Sequence, residues 1–393
     1  MSLLRTLRDD RVWEALSAPR RRSEIGEIAQ LMWAENEAAA AVCDVVLDGP
    51  AAWWPQHLRK THGTSTAGMV RELLRRMPSI VWIRPADALQ LAAMAMEIAE
   101  VLQPEQYPAG IVMQLRGQAL RDHASVLSFT GRIPEALACL ERAARAFEHV
   151  PVPDFDLARL AVVKASALRM QNRTAEAAAL AHDASDTFLL LGDRRRYVDA
   201  RIIEAAVVYD GGAVEKALEI WRSVEDDPIL DEVARLRLTH NIALCLHDLH
   251  RPHEAVEPLR RCVAGFERVE MPTERNRSRW NLGNALLGTA AVYEAIAALR
   301  ASWQEFLQKD MAVDAALCGL DLAEALLAAG RPKEIPAICH EVVALLTKAG
   351  LAARAITALA LLREAAAMGK ASRDLVRRTQ ATVKRVTREV RPM

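Results

Sequence analysis

Aromatic side chains make up only 5% of the 393 residues, and glycine and proline stand at just 17 each. Sandwiches and barrels draw on aromatic and β-branched residues and on frequent glycine- or proline-rich turns, so this scarcity argues against an all-β chain. Neither sign of charge dominates: 51 Lys plus Arg face 51 Asp plus Glu, which removes any bulk pull toward nucleic acid or an anionic membrane. A charge-seeking partner would have to read a local patch. The six cysteines (Cys43, Cys139, Cys245, Cys262, Cys318, Cys339) lie far apart with no Cys-x-x-Cys pair. Free thiols in a reducing compartment are expected, which makes the cytoplasm the expected location. Nowhere do 18 uncharged apolar residues follow one another, and the opening MSLLRTLRDDRVWEAL sets two acids straight after its short apolar run. Neither a membrane span nor a secretion signal is expected.

What the chain does have is apolar surface, with 51% of residues from the hydrophobic set, and abundant alanine. The length exceeds what one compact domain usually holds, so the chain is multidomain or a repeat array, and its composition favours closely packed helices. A repeat is present. Segments reading helix, short break, helix can be indexed on Gly131, Asn172, Gly212, His250, Ala290 and Gly330, with separations of 41, 40, 38, 40 and 40. Five residues beyond each index stand Ala136, Ala177, Ala217, Ala255, Ala295 and Ile335; seven before stand Ala124, Ala165, Ala205, Ala243, Gly283 and Ala323. Small residues at one fixed place on each helix are what two antiparallel helices need to approach closely. Sixteen residues beyond the index come Phe147, Phe188, Pro228, Phe266, Phe306 and Leu346, bulky groups suited to the wedge between one hairpin and the next.

This pattern resembles the tetratricopeptide repeat, most clearly at Trp280–Leu299, WNLGNALLGTAAVYEAIAAL. The resemblance covers about residues 109–349 through six units, with a period near 40 where the family's usual unit has 34. It is similar to the long-repeat members of bacterial signalling proteins. The fold this implies is all-α, a right-handed α-solenoid of stacked antiparallel hairpins whose first helices line a concave groove. Residues 1–65 are expected to form an amino-terminal helical cap and loop, 66–108 a degenerate first hairpin, and 350–393 capping helices with a basic tail.

Carrying the family's groove positions onto this chain places Arg159, Arg237 and Arg277 at one offset, where guanidinium groups could grip carboxylates; an acidic or phosphorylated peptide is the favoured ligand. Asn241 and Asn281 share another offset and could hold the backbone of an extended ligand. His240, Trp280 and Asn284 complete the expected partner-binding set, and the sixth unit turns acidic with Asp321 and Glu324. The family's carboxylate clamp is not supported, because Leu317 and Asp321 stand where Lys and Arg are needed.

No phosphate loop, dinucleotide turn, nucleophile elbow or His-Glu-x-x-His helix occurs, so no catalytic residue, metal or cofactor is expected. His247, His250 and His253 fall in a break between helices, and Glu225, Asp226 and Asp227 read as a solvated loop. The carboxy-terminal stretch from Lys370 carries eight basic residues against two acidic ones but no stacking aromatics, so nucleic acid is not the expected partner. Trp53 and Trp54 suit either a seam filler or an exposed anchor. The reading is a non-enzymatic interaction scaffold that takes a protein or peptide in its groove. The alternative is a peptide-sensing regulator without its own DNA-binding domain.

Overall fold

The computed structural model describes residues 19–61, 64–81, 83–103, 105–348 and 353–390. The helical stretch expected over Leu4–Leu16 lies outside them. Among the described residues there is no strand; the regular structure is helical. The chain divides after Val207 into two compact units.

The first unit holds α1 (Pro19–Val46), α2 (Trp54–Lys60), α3 (Ala67–Ile80), α4 (Pro85–Val101), α5 (Ala109–Phe129), α6 (Ile133–Phe147), α7 (Asp154–Met170) and α8 (Thr174–Leu190). The division falls inside α9 (Arg194–Asp210). The second unit continues with α10 (Val214–Arg222), α11 (Glu232–Asp248), α12 (Pro252–Arg268), α13 (Pro272–Gly288), α14 (Val292–Gln308), α15 (Ala312–Ala328), α16 (Ile335–Lys348), α17 (Ala353–Ala367) and α18 (Arg373–Val390). Within each unit successive helices pack as antiparallel hairpins stacked one on the next.

The repeat is written in how the helices stop. Each of the six index residues has positive φ, and the residue after it donates its N–H to a carbonyl five residues back, as Arg173 does to Leu168 at 3.0 Å and Ala291 to Leu286 at 3.0 Å. This left-handed cap satisfies carbonyls that the helix end leaves without partners. The same device ends helices between hairpins, at Gly192, Glu270 and Asp310. The backbone period is therefore one 17-residue helix plus a three-residue break, as in α12 to α15, and the forty-residue echo is two such steps. Proline at the first helical position opens α12 and α13, and Glu254, Glu274 and Glu294 put negative charge in the first turns, where the helix dipole favours it.

Alanine is a poor residue at the left-handed position, and Ala290 holds it with φ of 63°. Ala290→Gly should stabilise the second unit by about 0.5–1 kcal/mol, the steric penalty removed less the extra chain entropy of glycine. A urea midpoint that falls instead would show the site to be unstrained.

The small residues at the two fixed offsets are all buried where helices cross. At Gly283 a methyl group would lie 2.6 Å from Leu299 Cγ, so this hairpin approaches more closely than its alanine-bearing neighbours allow. Phe147, Phe188, Phe266 and Phe306 are buried between hairpins. The third hairpin departs from the pattern: α10 has nine residues and gives way to turns through Pro228. Proline there denies the helix a hydrogen bond, and Asp231 caps the start of α11 through the Ala234 N–H at 2.8 Å.

The adjacent tryptophans take opposite roles. Trp54 is buried, its indole N–H donating to the Gly49 carbonyl at 2.9 Å, while Trp53 is exposed beside His57. At the other end α17 and α18 form a hairpin broken at Gly369, and α18 packs on both α17 and α15.

Candidate functional site

In the second unit the first helices α11, α13 and α15 lie side by side. Polar side chains tie each to the next in a repeated step. Arg237 Nη2 donates to Glu274 Oε1 at 3.1 Å, Arg277 Nη2 to Asp314 Oδ2 at 3.3 Å, and Asn284 Nδ2 to Asp321 Oδ2 at 2.9 Å, each reaching 37 residues along the chain. The arginines expected to meet a ligand's carboxylates thus already hold carboxylates of the neighbouring helix. Both keep substantial exposure, 40% for the side chain of Arg237 and 50% for Arg277.

His240 is locked between Ser278 and Asn281. Asn281 Nδ2 can only donate, so its 3.1 Å contact with His240 Nε2 requires a bare ring nitrogen, and Nδ1–H must then donate to Ser278 Oγ at 2.9 Å. Burial, with Arg277 adding to it, pushes the imidazole down to about 4, which keeps it neutral in this arrangement. Asn241, one residue along, is half-buried and makes no side-chain hydrogen bond to a described residue. It stands one helical turn beyond Arg237, as Asn281 does beyond Arg277.

Trp280 is held at both ends. Its ring meets Phe306 edge-on at 5.7 Å and its N–H donates to Asp321 Oδ2 at 2.7 Å. Asp321 also accepts from Gln380 of α18 at 2.9 Å, and burial pushes its carboxyl above the usual range. Glu324, one turn on, receives Arg377 at 3.1 Å and Arg373 at 3.2 Å. The first-helix face of the sixth hairpin is therefore covered by the chain's own basic helix. Beside it a cleft of about 470 Å³ is bounded by His247, Asp248, Asn284, Asp321, Arg377 and Lys384.

In the first unit Arg159 lies on α7 with Asp122 of α5 at 3.7 Å. The structure thus gathers His240, Asn241, Arg237, Arg277, Trp280, Asn281 and Asn284 on adjacent first helices of the second unit, while Arg159 belongs to the first. Sequence reasoning missed Ser278 and Gln380; Ser278 is fully buried on a first helix, and its spacing of three from Asn281 is the signal that would have paired it with His240.

Among the described residues no three His, Cys, Asp or Glu side chains converge as a metal ion requires, and no helix is long and apolar enough to cross a membrane. No protein-family model matches the sequence, and no curated protein sequence matches it. Solved structures are similar in fold. The apo form of RapI gives a TM-score of 0.60 at 12% identity, covering 92% of this chain and 100% of its own. A Rap protein complexed with competence and sporulation factor gives 0.53 at 13% identity, covering 91% and 99%. Aspartyl phosphate phosphatase F from Bacillus subtilis gives 0.53 at 11%, covering 90% and 92%.

Proposed function

We propose that this chain, whose fold is that of the tetratricopeptide-like superfamily, is a non-enzymatic interaction protein that holds an extended peptide or partner segment on the first-helix face of hairpins four and five. The observation that carries this is Asn241: a half-buried amide without a bond to a described residue, in a face where the side chains around it are paired. Such an amide can donate to and accept from the main chain of a strand-like ligand, holding it with little regard to its sequence. Arg237 and Arg277 add attraction for acidic groups, weakened because Glu274 and Asp314 already occupy them. The fold likeness to a Rap protein in complex with competence and sporulation factor supports the same direction.

Random dodecapeptides displayed on phage and selected on the purified protein provide the probes. Asn241→Ala should weaken the selected peptides about tenfold, the worth of one or two hydrogen bonds, and leave the melting temperature unchanged. Asn281→Ala differs, because it also strips His240 of one of its two partners and should cost the second unit about 1 kcal/mol. Tyr293→Ser, at an exposed position of α14, is the control. Equal binding by wild type and Asn241→Ala removes this reading. The same peptides separate a static adaptor from a peptide-responsive regulator: small-angle scattering should show a changed radius only for the latter.

A further inference from the structure

The first unit contains a cleft of about 480 Å³ that the second-unit face does not explain. Part of its lining is apolar: Leu74 and Met77 of α3 with Val126, Val162 and Phe188. Charged side chains line it as well, and its four guanidinium groups are unequally served. Arg121 holds Asp122 at 2.7 Å and Asp156 at 3.0 Å. Arg196 holds Asp193 at 2.7 Å and stacks on Phe155, and Arg195 reaches Asp199 at 3.5 Å. Arg159 is left with Asp122 at 3.7 Å, beyond hydrogen-bond distance and on the oxygen that Arg121 already engages. Its five donors make no hydrogen bond to a described residue, although the side chain is two-thirds covered. Burial, reinforced by Arg121, brings its pKa down to about 10, as befits a cation short of counter-charge.

We propose that this cleft binds a small apolar carboxylate, its chain against Leu74, Met77 and Phe188 and its head group on Arg159. The volume lies within the range of small-ligand sites, where an apolar wall supplies affinity and one charged group fixes orientation. A planar guanidinium matches a carboxylate with two parallel hydrogen bonds. The charge is limited to one: Asp122 and Asp199 border the same space and would repel a dianion. The site does not depend on the second-unit reading, since every lining residue precedes Val207.

The test is isothermal titration of the full chain with octanoate, 1-octanol and octyl phosphate. Octanoate should bind at least tenfold more tightly than either of the others. Arg159→Gln should reduce octanoate to the level of octanol, and Arg159→Lys should recover part of the difference. Ser125, exposed on α5 at the cleft wall, gives an independent variant: Ser125→Trp should fill the space and abolish octanoate binding even if Arg159→Gln lowers helicity. Peptides selected for the second-unit face should bind all three variants as they bind wild type. Octanoate binding no tighter than octanol, tighter binding of octyl phosphate, or octanoate affinity indifferent to both Arg159→Gln and Ser125→Trp overturns the proposal. So does displacement of octanoate by those selected peptides, which would make the cleft part of a peptide site.

Discussion

Arg121→Met should cost the first unit about 3–5 kcal/mol, the usual consequence of stranding a buried charge. Arg121 and Asp156 are each 1% exposed and join α5 to α7 at 3.0 Å. Asp156 also accepts from Gln114 at 2.7 Å and Gln118 at 3.0 Å, so three donors from α5 converge on one carboxylate of α7. Methionine matches the length of the arginine stem but returns no charge, and the two amides alone must then hold an anion cut off from water. Amide hydrogen exchange is the suitable readout, because it locates the loss: protection should fall in α5 and α7 and persist in α13 to α15. Adding Asp156→Leu to the same chain should recover much of the stability, since an apolar pair of similar volume carries no desolvation penalty. Unchanged protection in α5 would refute the argument.

Acidification should weaken the second unit through His240. Its native pKa lies near 4 while the unfolded imidazole titrates near 6.5. Between those values the unfolded chain binds the proton and the native one does not, so stability falls as pH drops through this window and is fully present above it. A shift of this size corresponds to at most about 3 kcal/mol once the pH is below 4. The structural cause is specific: protonating Nε2 would place a proton against the donating Asn281 amide and a charge beside Arg277. Urea unfolding of wild type and His240→Asn from pH 7.5 to pH 4.5 checks this. The variant should be less stable at pH 7.5 but lose less on acidification; parallel curves would assign the pH dependence elsewhere.

The hairpins were legible because their determinants are local: a residue that tolerates positive φ at Asn172 or Gly212, an alanine five residues on, and a phenylalanine sixteen on all act within one turn or one crossing. The offset that groups Arg237 with Arg277 and Asn241 with Asn281 was legible for the same reason, since equal helices in equal steps put equal offsets on one face. Their occupancy was not. Glu274 and Asp314 take up the arginines from the neighbouring first helix, a pairing that appears in no single repeat. Trp53 and Trp54 carried the same sequence signal, and one helical step buried the second and left the first in solvent.

Taken alone, then, the order of residues determined where each helix ends and which face it turns toward its neighbour, because backbone sterics and the size of a Cβ substituent act over a few residues. Tertiary structure alone decided which polar groups on those faces are already spent. Asp321 and Glu324 meet Gln380, Arg373 and Arg377 across more than forty residues of chain, and Arg159 makes no hydrogen bond to a described residue, its neighbouring carboxylate oxygen on Asp122 being one that Arg121 already holds. Charge pairing depends on distance in space, and that distance exists only once the helices have packed.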